Sequence, residues 1–251
     1  MFESPTSLDL TPFREQWRRS RRGPRDIKEL AETMLTSYRY HLEPGPPYDA
    51  AKFLQLYGFR VEQHEELTTR IGRDGRPRTY AGILVPKNGR VMLSRAFGPK
   101  VMRFTVAHEA GHLVMHPHMT ELHRDPPLDG SRNDQRRPLL EEQADTFAAH
   151  FCMPEDVIRS AFWARFHTGA FELNDATAFA LFRGNKWDVR PRWKSMRVAS
   201  RELARATCFD GYPFDSLTDQ FGVSPEAMAI RLEELDLLAP DPMWTPFRPW
   251  S

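Results

Sequence analysis

Residues 108–112 read His-Glu-Ala-Gly-His, an H-E-x-x-H motif. Residues four apart share one face of a helix, so the imidazoles of His108 and His112 point towards a single ion. Zinc suits two imidazoles and a carboxylate with an open fourth position, where a bound water has a pKa close to neutrality. Glu109, on the adjoining flank, is predicted to take the proton of that water as general base and return it to the leaving amine.

The residues around the motif are apolar, which predicts a helix packed into a core. They include Phe104, Val106, Ala107, Leu113 and Val114. Unpaired polar groups are costly inside a core, so two buried histidines and a glutamate need partners there. A bound metal meets that need; the alternative is a pair of ordinary core or surface histidines.

A third metal ligand is expected on the next strong helix. Glu141 and Asp145 are four residues apart, so one can ligate the ion while the other accepts the N–H of a ligating imidazole. Glu142 points about a third of a turn away, and an acid is favoured there by the helix dipole alone. His118 is a rival ligand, because it occupies the third-histidine position of the longer H-E-x-x-H-x-x-G-x-x-H pattern. His116 is interpreted as a loop or surface histidine.

Two stretches resemble the ImmA/IrrE family of zinc metallopeptidases. They are residues 103–116, RFTVAHEAGHLVMH, and residues 141–154, EEQADTFAAHFCMP, within a similarity that covers roughly residues 26–154. The resemblance implies one zinc per chain held by His108, His112 and Glu141, with Glu109 as general base. Asp145 matches the family's Asn or Asp four residues after the ligand, whereas Gln143 replaces a frequent Glu.

The resemblance also implies a function. Members of the family are cytoplasmic proteins that cleave DNA-binding repressors in response to stress or DNA damage. We therefore expect a hydrolase that cuts a helix-turn-helix transcriptional repressor in a stress or mobile-element circuit. The alternative is a zinc-containing sensor or binding module that sequesters a regulator without proteolysis.

The elements that position these residues follow from local signals. Short β-prone runs lie near residues 59–62, 80–85 and 90–94; Gly98-Pro99 opens the motif helix, and Pro138 starts the next one. We predict an α+β, zincin-like core in which a small, mainly antiparallel sheet packs on helices, with a helical C-terminal extension. The expected domains are a basic, partly disordered lead-in (1–25), the peptidase domain (26–160), a helical extension with a helix-turn-helix-like unit at 214–238 (161–239), and a Pro/Trp-rich tail (240–251).

Substrate contacts are less specified by the sequence. A peptidase of this type binds its substrate as an added strand, and residues 91–94 are the candidate edge. An oxyanion-stabilising group is also required. The candidates are Tyr80, His150, Arg95 and Arg103. Loop 117–138 is a candidate lid or partner-specificity segment, or a tolerated insertion.

Composition restricts the remaining function classes. The 251 residues carry 35 Lys+Arg against 34 Asp+Glu, 40 % hydrophobic residues and two cysteines. The balanced charge gives no overall attraction to nucleic acid, and neither a membrane span nor a disulfide scaffold is indicated. We expect a cytoplasmic protein. Direct DNA binding by the helix-turn-helix-like unit is disfavoured, because Arg231 is the only base among several acids on its second helix.

Overall fold

The computed structural model describes residues 8–71, 77–118, 122–124 and 138–241. The contacts divide the chain into two units, residues 1–152 and residues 153–251, called here the N-terminal and C-terminal units. Most of the 117–138 loop and nearly all of the 240–251 tail, for which the sequence makes predictions, lie outside the described residues.

The H-E-x-x-H motif lies among the helices of the N-terminal unit. They are α1 (Thr11–Arg19), α2 (Pro24–His41), α3 (Ala50–Leu56), α4 (Pro99–Met115) and α5 (Leu139–Cys152). Proline occupies the first position of α4 as predicted, where its missing N–H costs nothing. The motif therefore lies in the last two turns of α4.

The Arg-rich lead-in contains a helix that the sequence did not predict. In α1, Phe13 and Trp17 are four residues apart and buried, while the arginines of the last turn, Arg18 and Arg19, are exposed. This amphipathic spacing gives the helix an apolar stripe to bury. The apolar stripe is therefore what attaches this basic segment to the N-terminal unit.

A four-stranded sheet lies beside these helices. The strands of the unit are β1 (Arg60–His64), β2 (Leu67–Ile71), β3 (Pro77–Tyr80), β4 (Gly82–Val85), β5 (Arg90–Ser94) and β6 (Leu122–Arg124). The sheet order is β1-β5-β4-β6, and β2 and β3 form a separate antiparallel pair. Strand β4 runs antiparallel to β5 and β6, whereas β1 and β5 are parallel.

The predicted substrate edge is wrong. Residues 91–94 belong to β5, which pairs with β1 on one side and with β4 on the other. Its backbone N–H and C=O groups therefore already bond to neighbouring strands and are not open to a substrate. Order along the chain suggested an edge because β5 immediately precedes α4. In the four-stranded sheet, as far as the structure describes it, β1 and β6 are the outer strands.

Aromatic rings fill the helical core of the N-terminal unit. Phe151 on α5 lies with its ring centroid 5.9 Å from that of Tyr38 and 5.8 Å from that of Phe53. Phe147 stacks on Phe151 from the same helix at 6.1 Å. These four side chains are almost completely buried, and they bind α2 and α3 to α5, the helix that carries Glu141.

The C-terminal unit is mainly helical. Its elements are α6 (Glu155–Phe166), α7 (Asp175–Phe182), α8 (Lys186–Val189), α9 (Met196–Arg205), β7 (Cys208–Phe209), β8 (Tyr212–Pro213), α10 (Leu217–Gln220) and α11 (Pro225–Glu234). Ser216 and Ser224 cap α10 and α11, with Gly222 at a φ of 61° between them. A short helix, a glycine-containing turn and a capped second helix thus occupy residues 217–234.

The observed architecture confirms the α+β class with a zincin-like core and a helical C-terminal region. None of the described helices combines the length and the apolar character that crossing a membrane requires.

Candidate metal centre

Helix α4 presents two buried imidazoles on one face. His108 and His112 are each 1 % exposed, and their Nε2 atoms lie 3.0 Å apart. One helical turn separates the two residues, so the backbone alone brings the rings to the same side.

Helix α5 brings a carboxylate to the same point. The two oxygens of Glu141 lie 3.2 Å from His108 Nε2 and 3.3 Å from His112 Nε2. The helices approach closely because Gly111 of α4 has no side chain where it packs against Phe147 of α5. These three side chains are the one group of potential metal ligands found among the described residues.

The separations suit a tetrahedral zinc. Two ligands at about 2.0–2.1 Å from such an ion lie roughly 3.3 Å apart, close to the observed 3.0–3.3 Å. The chemistry of the donors agrees. Nδ1 of His108 lies 2.9 Å from Asp145 Oδ1, an acceptor, so this nitrogen carries the proton and Nε2 keeps its lone pair. The lone pair of His108 Nε2 and the carboxylate of Glu141 lie 3.2 Å apart, and a cation between them would satisfy both.

Asp145 lies behind the His108 ring and outside the group of three potential ligands. It is on α5, one turn after Glu141, and its carboxylate accepts from the far side of the His108 ring. Such a contact fixes the tautomer and the orientation of the imidazole.

His116 is not a loop or surface histidine, in contrast to the sequence interpretation. It is 8 % exposed, and its Nδ1 lies 2.8 Å from His112 Nδ1. Its other nitrogen, Nε2, lies 2.9 Å from Oε1 of Gln143 on α5. The i, i+4 spacing after His112 continues the ligand face of α4, and this was the signal available in the sequence.

Burial determines the protonation state of His112 and His116. It lowers the pKa of His112 to about 4, and it also lowers the pKa of His116. Burial by itself would raise the pKa of Glu141, but the proximity of His108 and His112 outweighs it and holds that pKa well below its usual range. At pH 7 the site therefore offers neutral His112 and ionised Glu141, the forms that bind a metal.

Glu109 is completely buried next to the ligands, where α4 meets β4. A Cβ on Gly82 would lie 3.0 Å from Oε1 of Glu109 and 2.5 Å from Cγ2 of Thr105. A side chain at position 82 would thus collide with α4, and glycine allows the strand to approach the motif helix. The carboxylate of Glu109 is confined between its own helix and this strand.

The other predicted site residues lie elsewhere. His118 is exposed in the turn after α4 and is outside the His–His–Glu group, and Glu142 is exposed on α5. Tyr80 packs with Leu67 and Ile83 in a small cluster at the sheet. His150 follows Glu141 by nine residues on α5, which places it roughly 13 Å further along the helix axis.

The two arginine candidates for the oxyanion role also have defined places. Arg95 is exposed and pairs with Gln63 at 3.1 Å and with Glu65 at 3.4 Å. Arg103 is half-buried on α4, five residues before His108.

Comparison with known proteins agrees with this site. Residues 66–174 match the family model Peptidase_M78, described as the IrrE N-terminal-like domain. The match spans a little under half of the chain and contains all three potential ligands. It confirms the family resemblance and supports a metallopeptidase-type function. A search of curated proteins finds no match.

Proposed function

We propose that the Peptidase_M78-type segment makes this chain a zinc-dependent metallo-endopeptidase that cleaves a protein substrate. One observation carries the proposal. Three donor atoms from His108, His112 and Glu141 converge at 3.0–3.3 Å, with the buried carboxylate of Glu109 on the same helix. A binding module needs the donors alone, whereas hydrolysis also needs a base.

Each residue has a defined task in this reaction. His108, His112 and Glu141 would hold the zinc, which when bound supplies a Lewis acid and lowers the pKa of water. Glu109 removes a proton from the attacking water and delivers it to the amine nitrogen as the peptide bond breaks. Asp145 accepts a hydrogen bond from Nδ1 of His108, and His116 contacts Nδ1 of His112. These contacts hold each imidazole ring in one orientation during turnover.

The substrate is proposed to bind as an extended strand near β6. Glu109 faces β4 at Gly82, and β6 is the strand that continues the sheet beyond β4. One strand spacing, about 4.8 Å, separates neighbouring strands, so the β6 side is the sheet edge nearer to Glu109. An added strand there uses backbone hydrogen bonds for affinity.

The proposed target is a cytoplasmic helix-turn-helix repressor in a stress or mobile-element circuit. The support for the target is the resemblance of the two motif stretches to a family with that role, together with the family match. Sequestration of the same regulator without cleavage is the alternative, and an intact Glu109 argues against it.

The test is a search for new protein N-termini. Lysate of the source cell is incubated with zinc-loaded protein or with Glu109→Gln, and free amino termini are labelled and identified. We expect new termini within one or a few regulators, present only with the wild-type chain. Zinc-loaded wild-type protein that generates no new termini, yet retains a regulator on affinity capture, would favour sequestration.

A further inference from the structure

A chain of hydrogen bonds leads outward from the metal centre to the N-terminal segment. His112 Nδ1 lies 2.8 Å from His116 Nδ1, and His116 Nε2 lies 2.9 Å from Gln143 Oε1. The amide nitrogen of Gln143 then donates to the backbone carbonyl of Arg22 at 3.4 Å. Four residues from three parts of the chain thus form one connected series.

The direction of this series is set at its outer end. The Arg22 carbonyl can only accept, so the amide of Gln143 must turn its NH₂ outward and its oxygen towards His116. His116 consequently carries its proton on Nε2 and keeps a lone pair on Nδ1. That lone pair accepts a hydrogen bond from the Nδ1–H group of His112. His112 Nε2 is then unprotonated, and its lone pair faces Glu141.

The turn that presents the Arg22 carbonyl is itself well defined. Arg22 has a φ of 61°, and its N–H donates to Ser20 Oγ at 3.1 Å, while that hydroxyl donates to the carbonyl of Trp17. On the far side, the N–H of Gly23 donates to the Asp26 carboxylate at 2.8 Å. Hydrogen bonds on both sides therefore hold the carbonyl in place.

Helix α1 adds a second contact with the motif helix. Arg14 Nε donates to the backbone carbonyl of Leu113 at 3.2 Å. Leu113 lies in the last turn of α4, where carbonyls have no partner within the helix. The buried side chains of Phe13 and Trp17 attach α1 to the N-terminal unit.

We propose that residues 8–23 are a positioning element of the metal centre, which acts through Gln143 and His116 to present His112 Nε2 as a metal ligand. The inference depends on the proposed function for its metal. The segment lies outside the family match, which begins at residue 66.

The test measures the metal site directly in the full-length protein. Zinc dissociation constants come from competition with a chelator, and Co²⁺ substitution reports ligand geometry through its visible spectrum. Loss of a residue behind a ligand typically weakens metal affinity about 10–100-fold. We expect that range for His116→Phe, with an altered Co²⁺ spectrum, and a smaller loss in the same direction for Gln143→Leu.

Two substitutions at position 22 separate the backbone from the side chain. Arg22→Gly tolerates the positive φ and keeps the carbonyl in place, so zinc affinity should remain that of the wild type. Arg22→Pro cannot adopt that φ and has no N–H for Ser20, so affinity should fall. Because α1 and α2 flank the turn, circular dichroism must first show that the variant is folded; if it is unfolded, Gln143→Leu decides.

Two results would overturn the inference in distinguishable ways. Folded His116→Phe and Gln143→Leu with wild-type zinc affinity and Co²⁺ spectrum would remove the positioning role, while a zinc-binding, proteolytic wild type would preserve the proposed function. A wild-type chain that binds no zinc would remove both.

Discussion

Gly111 packs directly against Phe147, and this contact sets the distance between the two helices of the metal centre. A Cβ at position 111 would lie 3.0 Å from Cδ1 and 3.2 Å from Cβ of Phe147. Phe147 is fully buried, so neither ring nor backbone has room to retreat. Glu141 precedes it by six residues on α5, and its carboxylate must reach the imidazoles across this same contact.

Gly111→Ala should therefore weaken zinc binding. Overpacking costs about 1–3 kcal/mol, and the better helix propensity of alanine returns about 1 kcal/mol, so the free energy of unfolding should fall by up to ~2 kcal/mol. The matched control is Gly45→Ala, where a Cβ meets nothing within 4 Å. Urea unfolding and chelator competition measure both effects. Wild-type zinc affinity in Gly111→Ala would show that the contact does not place Glu141.

Neighbouring acids on α5 provide a matched test of the third ligand. Glu141→Ala removes the only carboxylate within 3.3 Å of both His108 and His112 among the described residues, so zinc affinity should fall by more than the roughly 10–100-fold lost behind a ligand. Glu142→Ala removes an exposed acid of the same turn and should leave affinity unchanged. Mass spectrometry of metal content, after dialysis against a weak chelator, distinguishes the two. Equal zinc contents would contradict the assignment.

Local signals predicted the elements that carry the site. Pro99 at the start of α4 and the apolar residues around His108 depend on the sequence within a few turns, and the start of the helix agrees with the prediction. Spacing alone left open which of Glu141 and Asp145 ligates, and the family resemblance assigned Glu141; in the structure Asp145 Oδ1 lies 2.9 Å from His108 Nδ1.

Non-local relationships were beyond the same reasoning. The i, i+4 spacing to His112 could have placed His116 at the site, but it could not identify its hydrogen-bond partner Gln143, which is 27 residues away on another helix. Strand β5 is interior because it pairs with β1, although β2, β3 and β4 lie between these two strands in the sequence. Order along the chain therefore does not show that β5 is an interior strand. The three-residue strand β6 has too few residues for a period to be visible.

Glu109→Gln should abolish cleavage and leave the metal in place. The amide has nearly the same shape as the carboxylate but cannot accept the proton, and general-base catalysis contributes typically 10²–10⁴-fold. Zinc content and His108–Glu141 geometry, followed through the Co²⁺ spectrum, should stay as in the wild type. Retained proteolysis at the wild-type rate would exclude Glu109 as the base.

Acid should destabilise the metal-free protein through His112. Its pKa is lowered from 6.5 to about 4 by burial, so between these values the unfolded chain binds a proton that the folded chain does not. The stabilisation is complete above about pH 6.5 and is lost as pH falls towards 4. Each unit of pKa shift corresponds to about 1.4 kcal/mol, so the free energy of unfolding should drop on the order of 1–2 kcal/mol from pH 7 to pH 5.

The comparison variant for this pH dependence is His112→Gln, which has no titrating group at the position. Urea unfolding in a chelator at pH 7, 6 and 5 should give a shallower dependence for the variant. Burial of His116, whose pKa is also lowered, leaves part of the slope in both proteins. Identical slopes would show that His112 is not the group responsible.

Helix α11 should not function as a DNA-recognition helix. Its acids are engaged within the C-terminal unit, because Arg197 of α9 pairs with Glu233 at 2.7 Å and with Glu226. Its only base, Arg231, is 3 % exposed and donates to the carbonyl of Met153 at 3.1 Å, so it is unable to reach a phosphate without leaving the core. Any duplex binding should be weak and not depend on this arginine.

Arg231→Ala is the decisive variant for that expectation. Loss of a buried charged donor costs about 1.5–3 kcal/mol, so the free energy of unfolding should decrease while duplex affinity does not change. Fluorescence anisotropy with a labelled duplex at 50 and 200 mM salt measures affinity, and urea unfolding measures stability. A folded Arg231→Ala that loses a tight, steeply salt-dependent affinity of the wild type would contradict the packing role, because only a phosphate contact explains that combination.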